Sequence, residues 1–228
     1  MLHRSGTDIA LEIPIFVCTM AFPGIHCPLH IYEPRYRLMI RRCMESGSRS
    51  FGMCIPEEGK EFADVGTILE IKEITVMPDG RSIIKTVGSQ RFHVLERGMK
   101  DGYCTAKIKW LKDEKEEDPA ELEELQQLNE TCYCLAQLWF KQLSDEQQNC
   151  VVNAVGPLPE LEEDLQDSTQ GPSWIWWVLS ALPLEYKPKQ IILAMTTIEE
   201  RLKGVRRFLV MLIKMQQKLR KEQQEARN

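Results

Sequence analysis

The spacing of apolar residues changes once along this chain, at Asp113, and that change constrains the fold more than any other feature. Before Asp113, apolar residues alternate or form short runs, the period of β-strands. After it they recur every third or fourth residue, the period of an amphipathic helix. A chain that segregates its periods in this way folds as α+β, strands first and helices second. We therefore expect a bent β-sheet or small pseudo-barrel with one helix over residues 13–112, and an α-helical bundle over 113–228. Residues 1–12 read as a linker or expression remnant, outside the fold.

The β half is punctuated by turns. Ile13 to Met20 is a strand candidate, Phe22-Pro23-Gly24 a turn, and Leu29 to Tyr32 a short apolar run. Glu33-Pro34 then starts the one helix of this half, because proline at the first helical position gives up an N–H that had no partner anyway. Tyr36, Met39, Ile40, Cys43 and Met44 form its apolar face, Arg35, Arg37, Arg41 and Arg42 take much of the rest, and Gly47 fits a C-terminal cap. Strands resume at Phe51–Ile55. Between Val65 and Met77 the apolar positions switch parity, from Leu69 and Ile71 to Ile74 and Val76. Strict alternation cannot do this, so a β-bulge is expected near Lys72-Glu73. Pro78-Asp79-Gly80 predicts a hairpin turn into Ser82–Val87, with separate strands at Arg91–Glu96 and Cys104–Trp110.

In the second half, Asp118 and Pro119 begin a helix, with Glu121 at capping-box spacing. Its apolar face is Leu122, Leu125, Cys132, Leu135, Ala136, Trp139 and Leu143. Residues 156–171 read as an acidic loop. Trp174–Ala181 is a short apolar helix stopped by Pro183, Lys187–Met195 another, and Thr197 with Glu200 opens the last. The polar tail from Leu219 is expected to fray.

With 43% hydrophobic and 28% charged residues the chain is globular rather than disordered. A net charge of −5 argues against general nucleic-acid binding, which needs clustered cations. The sign is uneven, however. Residues 112–124 hold eight acids against two bases, and residues 200–228 nine bases against three acids. No signal peptide and no apolar run long enough to span a bilayer is seen. The eight cysteines are therefore expected as thiols in a reducing compartment, cytoplasmic or nuclear.

Catalytic signatures are missing. There is no GxxxxGK[ST], GxSxG, HExxH or CxxC. His26-Cys27-Pro28-Leu29-His30 could supply metal ligands or a thiolate–imidazole pair, but it lacks a second Cys or His cluster. Trp174, Trp176 and Trp177 fit a packed core better than a ligand cage. Arg206, Arg207 and Lys214 on the last helix could meet an acidic partner, or simply face water.

The run FPGIHCPLHIYEPRYRLMIRRCMESG, then FGMC, then DVGTILEIKEITVMPDGRSIIKTVGSQRFHVLE, resembles the N-terminal substrate-binding domain of Lon proteases. ALPLEYKPKQIILAMTTIEERL resembles that domain's helical end, so the likeness runs from about Ile13 to about Leu219. CPLH, FGMC and PSWIWWVLSALP look most like the C-terminal Lon-type domain of animal RING-finger proteins. The resemblance implies a non-catalytic module that recognises client proteins or unfolded segments, in a parent that is a RING-type ubiquitin ligase. It implies no cofactor in this chain, zinc only in RING fingers outside it, and contact with an E2 enzyme only through those fingers. No nucleic-acid or membrane partner is implied. The Lon ATPase and Ser-Lys protease segments are absent from these residues. Candidate client-binding residues are His30, Tyr32, Arg35 and Tyr36 with Arg91 and Phe92, although Tyr36 and Phe92 fit better as the packing between barrel and first helix. Alternatives are a thiol hydrolase using Cys27 with His26 or His30, the substrate-binding or oligomerisation domain of an ATP-dependent Lon protease, and a scaffold that self-associates through its last helix.

Overall fold

The structure, a computed structural model, describes residues 11–225; most of the linker expected at residues 1–12 lies outside them. The chain forms two compact units that divide between Leu111 and Lys112. Among the described residues no helix is long and apolar enough to cross a membrane.

The first unit holds β1 (Leu11–Val17), β2 (Leu29–Ile31), α1 (Pro34–Glu45), β3 (Ser50–Cys54), β4 (Val65–Val76), β5 (Ser82–Lys100) and β6 (Tyr103–Leu111). The strand order is β2-β5-β4-β3-β1-β6, and β5 also pairs with β6. That extra pairing closes five strands into a barrel and leaves β2 outside it, on the edge of β5. The expected small barrel is therefore present. The parity switch is a bulge, since the β4–β5 register shifts between Ile71 and Glu73. It returns Ile74 to the face of Leu69 and Ile71, where all three join one apolar cluster.

The sheet has two apolar faces. Ile13, Ile15, Cys54, Ile68, Phe92, Val94, Ala106 and Ile108 fill the barrel. Gly52 and Gly66 make room there for Phe92, because a Cβ on either would lie 2.8 or 2.5 Å from the end of its ring. Phe16, Phe51, Met53, Leu69, Ile71 and Ile84 face the other way and are covered by Tyr36, Met39, Ile40 and Cys43 of α1. Pro34 stands in the first turn of α1, as expected, and Gly47 follows the helix at φ +75°.

Two expectations fail in this unit, the first because Leu11 and Glu12, read as linker, open β1 opposite Ile108 and Lys107. The two strands predicted at Ser82–Val87 and Arg91–Glu96 are a single 19-residue strand. Gly88-Ser89-Gln90 is not a turn. Instead, the backbone of residues 22–25 crosses at Gly88, with Gly24 N–H donating to Gly88 O at 2.8 Å and Gly88 N–H to Ile25 O at 2.9 Å. A Cβ on Gly88 would sit 2.0 Å from the Phe22 carbonyl oxygen. The glycine marks a close backbone approach, not a break.

The second unit holds α2 (Pro119–Lys141), α3 (Asp145–Val155), α4 (Ser173–Ala181), α5 (Tyr186–Ala194) and α6 (Ile198–Glu225). Asp118 caps α2 by accepting from the Ala120 and Glu121 N–H groups. The reciprocal half of the expected capping box is taken by Glu116, whose carboxylate accepts from Asp118 N–H at 3.0 Å. Helix α3 was not anticipated, yet Ser144 and Gln147 form a complete capping box at its start. Helix α6 runs on past Leu219 through residue 225.

The three tryptophans of α4 are core, each at most 1% exposed. Each indole N–H is satisfied: Trp174 by Asn129 Oδ1 at 3.1 Å, Trp176 by Gln170 O at 3.0 Å and Trp177 by Gly156 O at 2.9 Å. Beside Trp176, the Arg201 guanidinium forms a bidentate pair with Asp113.

Candidate functional site at the barrel edge

Strand β2 is the open edge of the sheet, and its hydrogen-bond phase can be worked out from its register. Leu29, His30 and Ile31 lie opposite Ile84, Ile83 and Ser82. One step earlier in the same register, Cys27 N–H donates to Thr86 O at 2.9 Å. Antiparallel pairs bond at alternate positions, so Leu29 and Ile31 bond to β5 and His30 does not. The His30 N–H and C=O therefore point away from β5, toward the open side. Pro28 before it has no N–H to offer.

The side chains alternate in the same way. Leu29 and Ile31 pack into the cluster under α1. His30 and Tyr32 are exposed, with ring centroids 5.8 Å apart. Tyr32 is 60% exposed and Ile83, directly across from His30, 43%. Thr75 of β4 lies opposite Ile83. The edge thus presents one free backbone pair beside an aromatic and aliphatic patch. Such an edge can accept an extended chain as a further strand, with its alternate side chains on that patch.

The six sequence candidates do not form one surface. His30, Tyr32 and Arg35 are exposed. Arg35 pairs with Glu33 at 2.8 Å and lies 4.6 Å over the Tyr36 ring. Tyr36 is 3% exposed, stacks on Phe16 at 4.0 Å, and its hydroxyl accepts from Val17 N–H at 3.3 Å. Arg91 and Phe92 are both fully buried. These three hold the unit together and are inaccessible to a client in the folded state. Ile83 belongs to the surface but was missed. The pair Ile83-Ile84 shows that one residue faces out, and only the register says which.

The thiol reading meets an obstacle. Burial, with Cys18 nearby, pushes the Cys27 thiol up to about 11, the opposite of what a nucleophile needs. No hydrogen bond joins it to His26 or His30; among the described residues, its carbonyl accepts from the Thr86 hydroxyl at 2.5 Å. All eight cysteines are free thiols. Among the described residues no group of three or more His, Cys, Asp or Glu could hold a metal ion.

A closed barrel with an open edge strand is a scaffold on which an extended segment can be added. Residues 12–211 match the family of the ATP-dependent protease La (LON) substrate-binding domain, and the chain belongs to that family. It is 30% identical over 102 residues to the LON peptidase N-terminal domain and RING finger protein of Schizosaccharomyces pombe, covering 37% of this chain and 21% of that protein. It is 29% identical over 99 residues to the Lon protease of Cytophaga hutchinsonii, covering 40% of this chain and 12% of that one. The chain thus matches about a fifth or less of these relatives' length. Among solved structures, the Lon N-terminal domain protein from Xanthomonas campestris superposes with a TM-score of 0.58 at 22% identity, covering 86% of this chain and 96% of that one. The N-terminal domain of the Mycobacterium avium complex Lon protease gives 0.60 at 15% identity, covering 88% and 98%. Both likenesses establish the α+β fold.

Proposed function

We infer that this chain recruits client proteins by adding an extended client segment to the free edge of β2, and that it does so as part of a RING-type ubiquitin ligase. The observation that carries the first half is the outward-facing backbone pair of His30 beside exposed Tyr32 and Ile83. Backbone pairing recognises any segment able to extend, so it suits clients defined by being unfolded rather than by sequence. The second half is supported by the RING finger in the name of the S. pombe relative. The alternative, a piece of an ATP-dependent protease, is supported by the bacterial relative.

The test is titration of a fluorescent, permanently unfolded probe, reduced and carboxymethylated α-lactalbumin. His30→Pro removes the outward N–H, and an edge strand tolerates proline where its N–H faces solvent. We expect it to weaken binding several-fold, in keeping with a hydrogen bond worth about 0.5–1.5 kcal/mol. Ile83→Lys should do the same from the side-chain patch. Binding that is unchanged in both folded variants refutes the edge. For the parent, RING cysteine spacing in the coding sequence next to these residues supports the ligase, and a Walker-type ATPase there overturns it.

A further inference from the structure

One face of α6 combines exposed apolar residues with basic ones. Lys203, Arg206, Arg207, Val210, Met211 and Lys214 line one open face of the helix. On a helix these positions form two adjacent ridges, each stepping by four residues. One carries Arg206, Val210 and Lys214, and the other Arg207, Met211, Met215 and Leu219. Met211, Met215 and Leu219 are 43%, 53% and 54% exposed. Lys203 is held by Glu199 at 2.6 Å. Arg206, Arg207 and Lys214 have no ion-pair partner among the described residues.

An apolar stripe flanked by unpaired cations has a definite complement. We propose that this face of α6 is a docking site for an acidic amphipathic helix of a partner protein, one that sets apolar side chains between carboxylates. Arg206 and Lys214 are eight residues apart, roughly 12 Å along the helix. A partner helix of about three turns spans that distance, with its apolar ridge on Val210 and Met211 and an acid toward each end. Methionine suits such a site because its flexible thioether adapts to different partners. Charge argues against a second copy of α6 as the occupant, because face-to-face pairing would oppose Arg206, Arg207 and Lys214 to their own images. It also separates this site from the barrel edge, which offers backbone groups and no cluster of unpaired cations.

The experiment uses the whole chain and a labelled sixteen-residue peptide of Glu, Leu and Ala, patterned as an amphipathic helix, read by fluorescence anisotropy. The peptide is expected to bind. Binding should weaken at least tenfold when its glutamates become glutamines, and at least tenfold in R206E/R207E/K214E. It should fall several-fold in M211S/M215S, fall with added salt, and stay unchanged in H30P. K214E alone, at an exposed position with no ion pair among the described residues, reads the same effect at smaller size should the triple variant unfold. Equal affinity for the glutamate and glutamine peptides, or no response to the charge reversals, overturns the proposal. So does binding of phosphatidylserine vesicles or single-stranded RNA in preference to the peptide. Concentration-dependent dimerisation abolished by the reversals would make a second copy the occupant, and overturns it too.

Discussion

Removing Asp113 should cost the second unit a large part of its stability, and the structure gives the size of the effect. Arg201 is fully buried and the Asp113 side chain is 4% exposed. The guanidinium donates through both terminal nitrogens to the two carboxylate oxygens, one contact at 2.8 Å. It also donates to Gln170 O at 3.3 Å and Met195 O at 2.9 Å, and lies 4.6 Å over the Trp176 ring. One cation therefore ties the residues just before α2, the end of the acidic loop, the α5–α6 turn and the tryptophan core into one network. In Asp113→Ala the two carbonyls and the ring remain, but the charge loses its counter-ion where water cannot replace it. Breaking one side of a buried pair costs about 3–5 kcal/mol. Whole domains are stable by only about 5–15 kcal/mol.

The assay is urea unfolding followed by tryptophan fluorescence, which reports mainly on this unit because four of the five tryptophans lie in it. Arg201→Met removes the carboxylate's guanidinium partner instead and should cost a similar amount. The double variant removes both charges and should cost about 1–3 kcal/mol less than the sum of the singles, the coupling expected of groups in contact. A loss under about 1 kcal/mol for Asp113→Ala, or strict additivity in the cycle, would refute the claim that this pair organises the unit.

Three further outcomes are expected. Gly88→Ala should destabilise the first unit by about 1–3 kcal/mol, since the new methyl meets the Phe22 carbonyl, and a thermal melt unchanged from the parent would show that the crossing can relax. Asp64, held below the usual carboxylate range by Lys60 and then Arg97, contributes stability that is present above about pH 4 and lost as pH falls through its lowered folded value. Because its side chain is 44% exposed the contribution is under about 1 kcal/mol. Hydrogen exchange of β5 amides should show Asp64→Asn weaker at pH 7 and equal to the parent at low pH, and a difference that persists in acid contradicts the assignment. Finally, iodoacetamide at neutral pH should modify exposed Cys134 and Cys150 well before Cys27, and mass spectrometry showing Cys27 modified first would restore the thiol-enzyme reading.

Much of this fold could be read from periodicity because local and tertiary demands agree. Pro34 starts α1 where the chain must turn off β2, and Tyr36, Met39, Ile40 and Cys43 are buried where helical spacing puts them. The parity switch in β4 could be read because a bulge is the one local device that keeps Ile71 and Ile74 on the same face. What stayed hidden depends on pairing between distant strands. Closure of the barrel requires β5 to pair with β4 through His93 and with β6 from Arg91 onward, and nothing local to Gly88-Ser89-Gln90 announces that. Arg91 is misleading for the same reason. A charge at a strand start reads as solvent-facing, whereas here it lies opposite both Thr67 and Leu111 and is fully buried. Helix α3 is the exception, since the Ser144–Gln147 box was visible and only the weak apolar face of its eleven residues concealed it.

The stretch Leu29–Tyr36 divides its residues between two tasks, and that division is itself testable. Leu29, Ile31, Pro34 and Tyr36 are fixed by packing and by the helix start. His30, Tyr32 and Arg35 are exposed, and none of them belongs to the buried core. Substitutions at exposed positions away from caps and networks usually change stability by less than about 0.5 kcal/mol. Tyr32→Ser and Arg35→Gln should therefore leave the melting temperature nearly unchanged while altering affinity for the unfolded probe. Tyr36→Ala, by contrast, should cost about 3–5 kcal/mol, the scale for truncating a buried aromatic residue. If Tyr32→Ser destabilises the unit as Tyr36→Ala does, the exposed ring is part of the scaffold and the binding edge loses its side-chain half.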